Sequence, residues 1–354
     1  MAASTAATSA AIVELYQDVQ RCAESAGLVY IEGDPPGISR VRRGKGFSYR
    51  DATGRLITDA ELKTQIAALA VPPAWQKVWI CPSPDGHLLA TGEDDRGRKQ
   101  YIYHPKWREI RDLLNAYRLI VVGERLPAIR QHVEQQLRRR TLDRDRVLAS
   151  MIRIIDTSAI RVGNEIYAEE NDSFGLTTLT RRHVSVQGNA VHFDFPAKSG
   201  KRAEIVLRDA QVASVVEKLA DQRRRRLFTV DGKPIVSSEV NDLLSSLSQE
   251  RVTAKDFRTW HGTLTAFAYL RTHIGDDPEP TVLAAVDAAA EQLGNTRAVA
   301  RDHYVHTHLI SAFTDGTFAR RLREVRARRL PRLAADERLL LAFLENLLAD
   351  AAVV

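Results

Sequence analysis

The stretch RHVSVQGNAVHFDFPAKSGKRAEIVL, residues 182–207, alternates apolar and polar side chains on both sides of Gly188-Asn189, and again after Lys198-Ser199-Gly200. A period of two puts every second side chain on one face, and a slip of one residue would turn the buried set to water. The breaks carry turn residues, so the segment predicts a three-stranded antiparallel meander with two tight turns. Lys198 then stands in or beside the second turn, on a hairpin tip. Helical periods surround the meander. That half of the chain must be mainly α with one small sheet.

The first hundred residues follow another pattern. LVYIEGD, GFSYR, KVWICPS, HLLATGE and RKQYIYH are short, rich in β-branched or aromatic residues, and punctuated by Gly, Pro and Asp. A helix around 11–25 and a second, DAELKTQIAALA, accompany them. From Lys106 the spacing of Trp107, Ile110, Leu114 and Tyr117 is helical, with further periods at 127–140 and 142–160. The fold expected is α+β: a small mostly-β domain over 1–105, then a mostly helical domain over 106–354 that carries the three-stranded antiparallel sheet. Residues 1–10 read as a disordered leader. A chain of 354 residues accommodates two such domains.

Charge narrows the function classes only a little. A net charge of +6 suits a polyanionic partner without demanding one. Only ten of the 51 basic residues are lysines, so a lysine at a suggestive place carries weight. The arginine runs at 138–140 and 223–226 read as solvated surface. Two cysteines, Cys22 and Cys81, give neither a disulfide framework nor zinc spacing and fit a reducing cytoplasm. No apolar run is long enough to span a membrane.

RDHYVHTHLI, residues 301–310, sets a tyrosine among three histidines. It could bind a metal, supply a nucleophile in Tyr304, or be a polar helix face. Metal fits poorly: His303 and His306 share a helical face, but His308 lies well round from it, and Asp302 is the only local carboxylate. Gly294 suits the end of one helix, and Thr296 can cap a next one that buries Val299, Val305, Leu309, Ala312 and Phe313. On this segment alone, a half-buried packing tyrosine is the better reading. Distant pieces change the balance. Arg161 and Arg258 sit in apolar stretches where an unpaired guanidinium would be costly. With Lys198 and Asn295 the order is Arg, Lys, Arg, Asn, Tyr.

Together with GFSYRDATG, the run from VPPAWQ to HPKW, IRVGNEIYAEEN, GLTTLTRRHV, FPAKSGK, KDFRTWHG and LGNTRAVARDHYVH, this order resembles the type IB DNA topoisomerases, in particular the compact poxvirus-like enzymes of bacteria. The resemblance covers nearly the whole chain. It implies Tyr304 as nucleophile, Arg161 and Arg258 on the scissile phosphate, Lys198 as general acid and Asn295 as a further phosphate donor. Many relatives have histidine at the last position, which could bring a positive charge; Thr307 stands where bacterial relatives often have proline. The resemblance further implies duplex DNA as partner, contacted by Tyr101, Tyr103, Arg98, Lys99, Tyr167 and Lys201, with the 1–105 domain as half of a clamp. It implies no cofactor, no metal, a monomer and a place at the cytoplasmic nucleoid. A site-specific tyrosine recombinase shares a similar residue order and is the nearest alternative, though recombinases usually open with a helical domain.

Overall fold

The computed structural model describes residues 18–33, 35–44, 46–163, 165, 172–222 and 224–351. The leader therefore lies outside the described residues. Contacts divide the chain into two units, Met1–Asn115 and Ala116–Val354.

In the first unit, α1 (Val19–Ser25) and α2 (Ala60–Ala68) accompany one antiparallel sheet. Its strands are β1 (Ile38–Arg43), β2 (Gly46–Arg50), β3 (Gln76–Ile80), β4 (Leu88–Glu93) and β5 (Lys99–Tyr103), in the order β2-β1-β3-β4-β5. Val78, Ile80 and Ala90 of the predicted strands are buried with Ile38, Ile57 and Ile66. Asp59 starts α2 by accepting from the amides of Glu61 and Leu62.

Two elements differ from the sequence reading. LVYIEGD forms no sheet strand; Val29 makes a single bridge to Gly86. Tyr30 instead stacks on the His87 ring at 4.5 Å, and the Ile31 amide donates to His87 Nδ1 at 2.9 Å. ISRVRR is the strand that was missed, because three arginines mask its alternation. Arg40 is accommodated by donating to the carbonyls of Val71, Pro72 and Trp75.

The second unit is helical around the predicted meander. One helix, α3 (Pro105–Leu137), starts in the first unit and continues into the second; it unites the two helical periods read before residue 140 and contains Pro127. α4 (Arg144–Ser158) is buried on nearly all sides, from Val147 to Ile155. Strands β6 (Val184–Gln187), β7 (Ala190–Pro196) and β8 (Arg202–Arg208) pair in sequence order, with Val184 opposite Phe193 and Phe195 opposite Ala203. Val191, Phe193 and Phe195 face the core as the alternation requires. Then follow α5 (Ala210–Asp221), a two-stranded ribbon of β9 (Thr229–Val230) and β10 (Lys233–Pro234), α6 (Ser237–Ser248), α7 (Ala254–Thr272) and α8 (Pro278–Leu293). The chain closes with α9 (Arg297–His303), α10 (Thr307–Thr314), α11 (Phe318–Glu324) and α12 (Ala335–Ala351).

α7 is the element that matters most for the site, and a buried ionic cluster pins it. Arg130 pairs with Asp156 at 2.8 Å and Glu337 at 2.7 Å, and the Trp260 indole donates to Glu337 at 3.1 Å. At the start of α7, Asp256 closes a capping box with Thr253 and pairs with Arg118 at 2.5 Å.

Candidate active site

Arg258 is 4 % exposed, on the second turn of α7. Two backbone carbonyls meet its buried charge. It donates to Ala159 O, the C-cap of α4, and to Leu293 O, the last residue of α8, the latter at 2.9 Å. Both are helix C-termini, where unsatisfied carbonyls concentrate negative potential. The cost anticipated for a guanidinium in an apolar stretch is thus met by two helix ends. Two residues beyond each of those carbonyls comes another predicted site residue, Arg161 after α4 and Asn295 after α8.

The positions of Arg161 and Asn295 follow from local backbone chemistry. Gly294 takes the left-handed conformation at φ 60°, its amide bonding Glu291 O at 3.1 Å while the Asn295 amide bonds Ala290 O at 2.8 Å. That Schellman pattern ends α8 and turns Asn295 out of the helix. Past α4, the Arg161 carbonyl accepts from the Leu176 amide at 2.9 Å. Arg161 then donates through Nη2 to Asn295 Oδ1. Asn295 Nδ2 is buried and lacks a hydrogen-bond partner among the described residues.

Tyr304 completes the group. The Arg258 guanidinium lies over its ring, 4.9 Å from the centroid. Burial pushes the Tyr304 phenol up, but the charges of Arg258, Arg161 and Lys255 outweigh it and hold the pKa below the ordinary phenol value. Arg161 is lowered to about 10 by burial and by the charge of Arg258, against a pull from Tyr304. Two crowded cations, one buried and one partly buried, beside a phenol make a site that favours an anion. Lys255, one turn before Arg258 on α7, is a further cation beside the phenol, and its helical spacing from Arg258 is the signal for it in the sequence.

The continuous helix expected across Tyr304 is absent. Thr296 does cap α9, but that helix ends at His303, Tyr304 has φ −135° and ψ −13°, and α10 starts at Thr307. Val299 is consequently 39 % exposed instead of buried, while Val305 and Leu309 keep their places in the core. Of the three histidines, His306 and His308 come together, their ring centroids 5.4 Å apart. His303 is exposed and His306 is buried, its imidazole driven down to about 3 by burial and by the neighbouring His308. Among the described residues no three His, Cys, Asp or Glu side chains gather to hold a metal ion.

The remaining residues are spread more widely. Lys198 stands exposed in the turn Lys198–Gly200 between β7 and β8, with no hydrogen-bond or ion-pair partner among the described residues. The base of that hairpin is anchored: Lys201 donates its ammonium to Asn295 O at 2.9 Å. Tyr101 and Tyr103 share one face of β5, their rings 5.9 Å apart and nearly parallel. Arg98 pairs with Asp94 at 2.7 Å, and Lys99 lies opposite Glu93 on the sheet. Tyr167 lies outside the described residues.

Comparison with known proteins agrees with this architecture. Residues 106–319 match the family described as eukaryotic DNA topoisomerase I, catalytic core, and residues 46–94 match the bacterial DNA topoisomerase IB N-terminal domain. The DNA topoisomerase 1B of Acanthamoeba polyphaga mimivirus is 26% identical over 297 residues, covering 78% of this chain and 87% of its own. The DNA topoisomerase 1B of vaccinia virus (strain Copenhagen) is 21% identical over 237 residues, covering 65% of this chain and 74% of its own. With the catalytic-core match spanning more than half of its residues, this chain belongs to the type IB DNA topoisomerase family.

Proposed function

We propose that the protein relaxes supercoiled duplex DNA by cutting one strand through Tyr304 and resealing it. The observation that carries this reading is the Arg258 guanidinium over the Tyr304 ring, with Arg161 acting on the same phenol and holding the Asn295 side chain. The phenol oxygen attacks phosphorus, forming a 3′-phosphotyrosyl bond, and the bond from phosphorus to the 5′-oxygen breaks. The cationic neighbours that lower the phenol pKa favour loss of its proton as the new bond forms. The non-bridging oxygens gain negative charge in the transition state, and the two guanidiniums with the Asn295 amide are the donors that meet it. The departing 5′-oxygen needs a proton, assigned to Lys198, which the exposed hairpin turn holds ready to reach a strand. Rotation of the free end releases torsion, and the 5′-hydroxyl then attacks the phosphotyrosine. The covalent link conserves the energy of the broken bond, so ATP is not consumed.

The first unit is proposed to help clamp the duplex, with Tyr101 and Tyr103 against DNA and Arg98 and Lys99 near the phosphates. Phosphate contacts of this kind position DNA without reading its sequence. The test is relaxation of a supercoiled plasmid in EDTA without nucleotide. Loss of supercoils of both signs is expected, together with a covalent adduct that Tyr304→Phe abolishes. An absolute need for magnesium, or an adduct trapped on the Phe variant, would overturn the mechanism. The same plasmid separates the recombinase reading, which needs paired sites where a topoisomerase acts on one molecule alone.

A further inference from the structure

The helix break at Tyr304 leaves backbone groups without helical partners, and one side chain meets two of them. The Thr263 hydroxyl donates to the Tyr304 carbonyl at 3.2 Å and accepts from the His306 amide at 3.2 Å. A hydroxyl offers one proton and two lone pairs, which suits one freed carbonyl and one freed amide. Thr263 is completely buried, so the clasp forms away from water. Its neighbour on α7 is shaped to the same purpose. A Cβ at Gly262 would lie 2.6 Å from the Tyr304 carbonyl oxygen and 3.2 Å from Tyr304 Cβ. Only a residue without a side chain lets α7 come this close. On the other side, the Ala300 carbonyl accepts from both the Tyr304 and Val305 amides, each at 2.9 Å. The main chain at Tyr304 is therefore gripped from its own helix and from α7.

We propose that Thr263 is a positioning residue for strand cleavage, its hydroxyl clasping the break so that Tyr304 presents its phenol to the scissile phosphate instead of lying along a continuous helix. The inference rests on the function proposed above. It adds a group that touches neither DNA nor the reacting atoms and works only through the Tyr304 backbone. Arg258 and Thr263 both belong to α7, so one rigid helix sets the phosphate-facing cation and the attacking tyrosine in a common frame. Near-attack geometry is sensitive to displacements of about 1 Å, which cost on the order of 10²-fold in rate.

The experiment measures single-turnover adduct formation on a DNA duplex whose short downstream fragment, bearing the new 5′-hydroxyl, is lost after cleavage, beside duplex affinity and thermal melting of each variant. Thr263→Val keeps the shape and deletes the hydroxyl; Thr263→Ser keeps the hydroxyl and trims the methyl. The expected result is a fall in cleavage of roughly ten- to a hundredfold for Val, with duplex affinity within about twofold of wild type and near-wild-type cleavage for Ser. Gly262→Ala is a second, independent perturbation of the same carbonyl and should also slow cleavage without weakening DNA binding; it carries the test should the Val variant not fold. Cleavage by Thr263→Val at the wild-type rate overturns the inference, as does a Ser variant as slow as Val, which would make the effect one of packing. If wild-type protein forms no adduct, the functional proposal itself fails and this inference with it. An adduct on wild type with full activity in Val and Gly262→Ala removes the clasp alone.

Discussion

Asn295 offers the sharpest test of the phosphate site, because its orientation is fixed by chemistry. Arg161 can only donate, so the Asn295 atom facing it is the oxygen, and the buried amide nitrogen remains for another acceptor. Asn295→Ala removes that donor. A hydrogen bond to a charged group contributes about 1.5–3 kcal/mol, so single-turnover cleavage should fall roughly ten- to a hundredfold. Arg258→Ala should cost more, since it removes a charged donor and also leaves the carbonyls of Ala159 and Leu293 unmet. Asn295→Asp is the informative variant. The carboxylate would pair with Arg161 and leave the folded protein no less stable by thermal melting. Toward DNA it should be worse than Ala, because a negative charge about 4 Å from a phosphate is opposed by about 4 kcal/mol at an effective dielectric near 20. With half of that masked by Arg161, cleavage should still fall about 30-fold below the Ala variant. An Asp variant as active as Ala would show that residue 295 does not face the phosphate. Equal losses for Asn295→Ala and Arg258→Ala would refute the ranking of neutral and charged donors.

Three further outcomes are expected. Lys198→Ala should lose about 10²–10⁴-fold in cleavage on ordinary DNA and recover most of it when sulfur replaces the 5′-bridging oxygen; Lys201→Ala, whose ammonium is held by Asn295 O, should show no sulfur-specific recovery. Titration of isotope-labelled tyrosine by NMR should find the Tyr304 phenol below the ordinary value, and Lys255→Ala should move it upward, since removing a cation disfavours the phenolate; an unmoved or lowered value would break the assignment. Glu337→Gln should destabilise the fold by about 3 kcal/mol in denaturant melts, as breaking a buried ion pair does. Arg130 holds the Glu337 carboxyl below its ordinary value despite burial, so the difference should be full above pH 4.5 and shrink as acid protonates the carboxylate; a gap that widens in acid would contradict it.

The sequence was informative where periodicity or turn chemistry acts alone. The meander at 184–208 and its turn at Lys198 were legible because alternation and glycine punctuation agree there. Gly294 announced the end of α8, and with it the placement of Asn295. β1 was hidden because its three arginines mask the alternation, and Arg40 is accommodated by carbonyls on a distant loop, a contact no local pattern encodes. The break at Tyr304 was hidden for the same reason. Its hydrophobic spacing continues through residue 313, and the side chain that meets the freed Tyr304 carbonyl, Thr263, lies 41 positions earlier. The apolar settings of Arg161 and Arg258 could be read as costly, but not that two helix ends would meet one of them.

The carbonyls that hold Arg258 belong to residues 99 and 35 positions away, and Arg161 meets Asn295 across 134. Such an arrangement has no local precursor; it exists only once loops of that length have closed. A nascent chain still short of residue 293 has neither the second carbonyl nor the tyrosine. The proposed strand cleavage therefore cannot begin on a partial chain: the residues that would break a strand come together only with the scaffold that would reseal it. By the same coupling, unfolding that frees α8 or α4 from Arg258 also takes apart the arrangement proposed to cut a strand.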